Sequence, residues 1–396
     1  MALMPFAAAK AALLATAHPV ADTECLDLAD AGKRILAEDL ISPLTVPPFD
    51  NSAMDGYALR ASDAGAPGTS LPVVLRVAAG DAPGTLPTGT AARIFTGAPM
   101  PAGADAVIMQ EQCRETSGQV LLSVTPATGD HVRYAGADIR AGQTILAAGT
   151  ALGAGSLGLA ASVGLARVPV YRRLRVALLC TGDELRNPGE SLGPGQIYNA
   201  NRYTMRGFLD ALDIDILDLG IIADNRDATR AALRQAATGA DLILASGGMS
   251  AGEEDHMVAA VAAEGRIDTW QVAMKPGKPL AFGSVGNTAF IGLPGNPVAV
   301  WVGMHLLAVP FLRKRQGLRR FDAPMERRLA GFSYTVKGNR LEFIRVRHGD
   351  DGRLECFPDQ SSGVLSSAVW ADGLAALPAG TQVAPGDWVD YLPGPR

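Results

Sequence analysis

The sequence predicts a multidomain α/β plus β protein: a central three-layer α/β domain, a small inserted β domain and a C-terminal β-barrel-like domain. Three observations carry that expectation. From Arg172 onward, short apolar runs alternate with amphipathic ones: "LRVALLC", "NANRYTMRGFLDAL", "IDILDLGII", "RDATRAALRQAA", "DLILASGG" and "DHMVAAVAAEG". This β-α-β-α-β-α order implies a parallel sheet covered on both faces. Between 64 and 130, and again from about 320, brief Val/Leu/Ile runs are cut by Gly and Pro, the texture of small β units. Finally, 396 residues exceed one ordinary domain.

Taken in order, the first forty residues read as a helix, a short strand near 24–28, and a second helix from about Ala29 to just before Pro43. The stretch "PPFDNSAMDGYAL" (47–59) follows, rich in turn formers and poor in anything to bury. After 140 a Gly/Ala-rich run returns the chain to the body that holds its N-terminus, leaving the β unit as an insertion. In the α/β region Asn201 is a candidate helix cap, with Met205, Phe208, Leu209 and Leu212 on one helical face. "PLAFGSVGNTAFIGLPGNPVAVWVGMHLLAVPFL" adds a hairpin-like strand pair and a closing helix. "RLEFIRVRH" and "WVDYL" belong to the terminal β domain.

Composition excludes several classes of function. A formal charge of -5 offers no global basic field, so no nucleic-acid partner is expected. Four cysteines, Cys25, Cys113, Cys180 and Cys356, are too dispersed for a local metal motif or a disulfide framework and suit a reducing interior. The alanine-rich N-terminus lacks the compact apolar core of an export signal, so a cytoplasmic location is expected. Residues 141–166 and 279–312 are nearly uncharged, but glycines interrupt the first and Pro294, Pro297 and Pro310 the second. Both read as buried elements, with no membrane span.

The chemistry gathers at predicted strand ends. "CTGDELRNPGE" brings Thr181, Gly182, Asp183 and Glu184 to the crevice at the C-terminal edge of the sheet, and "ASGGMSAGEED" brings Ser246, Gly247, Gly248, Ser250 and Asp255. Glycine amides and hydroxyls there can hold an anion such as phosphate, although the second stretch alone reads equally as a sharp turn before a helix. Neither is a dinucleotide fingerprint or a P-loop. Asp183, Glu184, Asp224 and Asp255 could together collect a hard divalent cation, Mg²⁺, beside that anion; singly, each is more often a cap or a solvated turn. "MKPGKPLAFG" sets Lys275 and Lys278 in a proline-restricted loop as point charges for an oxyanion. "GLPGNPVAV" makes a rigid turn in which Asn296 could cap the helix that follows. No nucleophile motif is present: there is no GxSxG, and the five histidines form no ligand cluster. Tyr198, Tyr203, Trp270 and Trp301 border a heterocycle or simply pack.

Six stretches, in order, resemble the molybdopterin molybdenumtransferase family: "PPFDNSAMDGYA" (47–58), "TGAPMPAGADAVI" (96–108), "TGDEL" (181–185), "SGGMSAGEED" (246–255), "MKPGKP" (274–279) and "GLPGNP" (292–297). The resemblance covers nearly the whole chain. It implies a central domain resembling molybdopterin adenylyltransferase (172–318) and a C-terminal β domain (319–396). It also implies an elongated linker domain (1–25, 41–57 and 139–171) and the inserted β domain (26–40 and 58–138). The implied activity inserts molybdate into adenylylated molybdopterin with release of AMP, assisted by Mg²⁺, in an L-shaped homodimer. Asn51, Asp55, Thr96 and Asp138 then face the partner's crevice. Asp183, Glu184, Asp224 and Asp255 match the acidic site, and Lys275, Lys278, Pro294 and Pro297 the ligand loops. Implied partners are molybdopterin adenylyltransferase and recipient molybdoenzymes or their chaperones, met transiently. Three residues depart from the family pattern: Asn199 stands where a carboxylate is frequent, Ala251 where valine is common, and His256 where an aromatic is common. A noncatalytic molybdopterin-binding scaffold and a molybdopterin adenylyltransferase are the competing functions.

Overall fold

The computed structural model describes residues 3–249 and 256–394. Its central unit runs β1 (Arg175–Thr181), α1 (Ala200–Ala211), β2 (Asp215–Ile222), α2 (Arg226–Ala237), β3 (Leu242–Ser246), α3 (His256–Glu264), β4 (Gly265–Gln271), β5 (Pro279–Val285), β6 (Thr288–Leu293) and α4 (Pro297–Gly303). The sheet order is β2-β1-β3-β6-β5-β4. The first four strands are parallel, and β5 runs antiparallel to both β6 and β4.

Period-two alternation in β1 explains the layers. Val176, Leu178 and Cys180 enter one core with Met205, Phe208 and Leu209 of α1 and Val298, Val300 and Val302 of α4. Ala177 and Leu179 enter the other with Leu233 and Ala236 of α2 and Met257, Ala260 and Val261 of α3. Each large apolar side chain so buried contributes about 1.5–3 kcal/mol relative to exposure. The near-uncharged stretch 279–312 supplies β5, β6 and α4 to this interior, and among the described residues no helix is long and apolar enough to cross a membrane.

Two caps differ from the sequence expectation. Asn199 caps α1, its Oδ1 accepting from Arg202 N at 3.1 Å, because Asn201 already lies inside the first turn and spends its amide elsewhere. Asn296 occupies the cap position of α4 but makes no side-chain capping bond there; Pro297 at the first helical position lacks an N–H and presets the backbone instead.

Around the central unit, helix Phe6–Ala15 buries Ala9 and Leu13 in the first core, and strand Thr23–Asp27 pairs antiparallel with Arg167–Tyr171. The helix expected from Ala29 to Pro43 does not form. Lys33 sits at φ 67, and the amides of Lys33, Leu36 and Ala37 donate to Leu152, Thr150 and Pro169, far along the chain. Tertiary pairing overrides local propensity there.

The inserted sheet has the order Ala106–Met109, Gly56–Leu59, Ala91–Ile94, Ser70–Val77, Gln119–Leu122, Cys113–Thr116. The last sheet combines Leu341–His348, Gly373–Leu377, Trp388–Pro393 and Glu326–Leu329 with one strand from the central region, Met274–Lys275. That strand pairs parallel with Leu341–His348, Met274 opposite Leu341 and Lys275 opposite Glu342, so the C-terminal domain is stitched to the rim of the α/β crevice.

Candidate active site

The crevice is a cleft of about 690 Å³ where the central strand ends meet the C-terminal domain. Three backbone turns build one wall. β1 ends at the buried Thr181, and Gly182 follows at φ 148. β3 ends at Ser246, followed by Gly247 at φ 94 and Gly248 at φ 65. Only glycine adopts such angles without strain, and a Cβ at Gly247 would run into the carbonyl oxygen of Thr181. The third turn, after β6, carries Pro294, Gly295 and Asn296.

A polar strap holds these turns in register. Asn201 Nδ2 donates to Ser246 Oγ at 2.9 Å and to Gly295 O at 2.7 Å, and Ser246 Oγ donates to Pro294 O at 3.0 Å. Among the described residues, Thr181 Oγ1 and Asn201 Oδ1 are buried without a hydrogen-bond partner. Such groups are costly unless something completes them, and Thr181 lines the cleft.

Of the residues singled out by sequence, the cleft brings together Thr181, Gly182, Glu184, Asp224, Gly247, Gly248, Lys275, Lys278 and Pro294. Asp183 stands beside them, its Oδ1 accepting from Asp224 N at 3.1 Å. Ser246 lies beneath the wall in the strap, and Pro297 opens α4 behind it. Ser250 and Asp255 lie outside the described residues.

Asn51, Asp55, Thr96 and Asp138 do not line this cleft. Asn51 is buried in a strand pair with Arg133 and donates from Nδ2 to Phe49 O at 3.3 Å. Asp55 accepts from the amide and the hydroxyl of Thr96, both at 2.8 Å. These bonds, the amide's foremost, hold its carboxyl below the ordinary aspartate range. Asp138 is exposed, with its amide on Val46 O. The polar opening loop therefore folds upon itself and its neighbours: Asp50 accepts from Ala135 N at 2.8 Å and Ser52 donates to Met54 O at 2.5 Å.

The opposite wall comes from the C-terminal domain, which the sequence reading left without site residues: Arg340, Gln360, Ser361 and Ser362. The signal was "DQSSG" (359–363), a polar turn inside a β region. Arg345 shapes it from behind. Only 1% exposed, it donates to Ser367 Oγ at 3.0 Å and to the carbonyls of Asp359 and Ser361 at 3.2 and 3.0 Å. Ser362 O in turn accepts from Val298 N at 3.0 Å, pinning the loop to α4.

The electrostatics oppose two signs across one cavity. Lys275, Lys278 and Arg340 are its cations, and Glu184 and Asp224 its carboxylates. Cys180, at the end of β1, is not an activated nucleophile: it is buried, and desolvation pushes its thiol up to about 11. His305, driven down to about 4 by burial, stacks on Trp301 at 5.8 Å, as a packed interior histidine does. Among the described residues no three His, Cys, Asp or Glu side chains come together as a metal-holding group. Magnesium ordinarily needs only one or two carboxylates plus substrate phosphate and water, and Glu184 and Asp224 are the carboxylates that line the cleft among the described residues.

Residues 4–164 match the family description "MoeA N-terminal region (domain I and II)", residues 177–314 "Probable molybdopterin binding domain", and residues 327–393 "MoeA C-terminal region (domain IV)". The chain is 42% identical over 358 residues to the molybdopterin molybdenumtransferase of Haemophilus influenzae, covering 88% of this chain and 87% of that one. To the molybdopterin molybdenumtransferase of a Nostoc species it is 38% identical over 390 residues, covering 91% and 86%. The crystal structure of the molybdopterin biosynthesis moeA protein from Pyrococcus horikoshii OT3 is similar at a TM-score of 0.86 and 26% identity, over 99% of this chain and 100% of that one.

Proposed function

The chain belongs to the MoeA family of molybdopterin molybdenumtransferases, and on that premise we propose that it inserts molybdate into adenylylated molybdopterin and releases AMP. The observation that carries the proposal is the cleft itself, in which glycine-rich turns, lysines and an arginine face two carboxylates, with no activated nucleophile among the described residues. A reaction between a pterin dithiolene, its phosphate ester and an oxyanion calls for charge placement rather than covalent catalysis.

Each wall then has a task. The amides of Gly247 and Gly248 and the hydroxyl of Thr181 take the phosphate end of the substrate. Lys275, Lys278, Arg340 and the serines at 361 and 362 polarise molybdate, so that an oxygen leaves as water, carrying the two dithiolene thiol protons, as the sulfurs bind molybdenum. Glu184 and Asp224 would hold magnesium, whose charge would favour attack of water on the phosphoanhydride, leaving the pterin phosphate and AMP. Incubation with adenylylated molybdopterin, molybdate and Mg²⁺, followed by nucleotide analysis, tests this. AMP formation above a protein-free control is expected. ATP consumption on unadenylylated molybdopterin would select the adenylyltransferase reading, and tight binding without AMP the scaffold reading.

We further propose that the enzyme works as a homodimer in which Asn51, Asp55, Thr96 and Asp138 complete the partner's cleft. They do not line the cleft of their own chain, yet Asp55 and Thr96 are fixed to one another at a surface loop. A mixed dimer of Asp55→Ala with Glu184→Gln is expected to recover appreciable AMP release, because both lesions then fall in one site and leave the other intact. A verified mixed dimer no more active than either parent homodimer would exclude the shared arrangement.

A further inference from the structure

Glu342 is a buried carboxylate with two claimants. It is 5% exposed. Tyr334 Oη donates to it at 2.7 Å, and Lys275 Nζ approaches its two oxygens at 3.2 and 3.3 Å. A carboxylate out of water is costly unless a cation and hydrogen bonds meet it, and these two groups meet it. Burial and the bond to Glu342 raise the tyrosine's pKa far above the ordinary value, so its hydroxyl remains a donor. The contact spans two domains, since Lys275 and Glu342 lie opposite each other where the Met274–Lys275 strand joins the C-terminal sheet.

Lys275 nevertheless lines the cleft, with 43% of its side chain exposed. Its ammonium thus stands between a fixed anion behind it and any oxyanion in front. We propose that Glu342 is a positioning residue acting through Lys275, a built-in counter-ion with which the incoming oxyanion must compete. The inference rests on reading the cleft as an oxyanion site. Its effect is to keep molybdate from settling on Lys275 too tightly to be passed on.

Two near-isosteric substitutions should move affinity in opposite directions. Glu342→Gln retains an acceptor for Tyr334 but removes the charge, releasing Lys275 toward the cleft. Tyr334→Phe removes the competing donor and leaves Glu342 wholly to Lys275. In calorimetric titrations with molybdate, Glu342→Gln is expected to bind about three- to tenfold more tightly than wild type and Tyr334→Phe about two- to threefold more weakly, modest because Lys275 is partly solvated. At saturating molybdate Glu342→Gln should also turn over more slowly. In a Lys275→Met background both affinity changes should vanish.

Unchanged or weakened binding in a folded Glu342→Gln protein would overturn the inference. So would an equal gain in the Lys275→Met background, which would mean a general field effect. Should Glu342→Gln fail to fold, unaltered affinity in Tyr334→Phe would overturn it independently. If wild type itself binds no molybdate, the oxyanion reading falls and this inference with it.

Discussion

Gly247→Ala is expected to lower turnover by about 100-fold or more, because displacing positioned groups by about an ångström costs that much. At φ 94 an alanine is strained, and its Cβ meets the Thr181 carbonyl oxygen while lying 3.2 Å from Thr181 Oγ1. Thr181 cannot retreat. It is the last residue of β1, paired with Ile222, and its neighbour Cys180 pairs with Ser246. The turn must therefore move, and the amides of Gly247 and Gly248 move with it. Strain at such a position costs about 1–3 kcal/mol of stability. Steady-state AMP release and a denaturant midpoint measure the two effects. Turnover within threefold of wild type would mean these amides do not position the substrate.

Glu184→Gln should also remove rate but preserve stability. The side chain is exposed at the cleft rim and joins no ion pair among the described residues, so the melting midpoint should reflect a change within about ±0.5 kcal/mol. Turnover should fall about 100- to 1,000-fold, the scale of a lost catalytic carboxylate, and more Mg²⁺ should be needed for half-maximal rate. An unchanged rate with unchanged Mg²⁺ dependence would remove Glu184 from the reaction.

The parts of the fold legible in the sequence are those specified locally. Helix α1 shows its buried Met205, Phe208 and Leu209 at helical spacing, and β1 and β3 are continuous apolar runs ending in glycine turns. The acidic and lysine-bearing loops were legible for the same reason, since strand ends in a parallel sheet share one edge. Non-local pairing defeated the rest. The 29–43 segment looked helical until its amides found carbonyls at 150, 152 and 169. Strand β4, "GRIDTWQ", carries no local signal that singles it out, because its pairing with β5 is visible only across the sheet. Arg340 and the 360–362 turn enter the cleft through long-range contacts such as the pairing of Lys275 with Glu342 and the bond from Val298 to Ser362. No local pattern announces contacts of that kind.

On the proposed function, one cleft couples oxyanion insertion to AMP departure. The most direct test is a single turnover with adenylylated molybdopterin bound to excess enzyme in Mg²⁺, with and without molybdate, quantifying AMP and pterin-bound molybdenum together. One AMP is expected per molybdenum incorporated, with both products absent in Gly247→Ala over the same interval. AMP released without molybdenum on the pterin, or neither product above a protein-free control with folded enzyme, would contradict it.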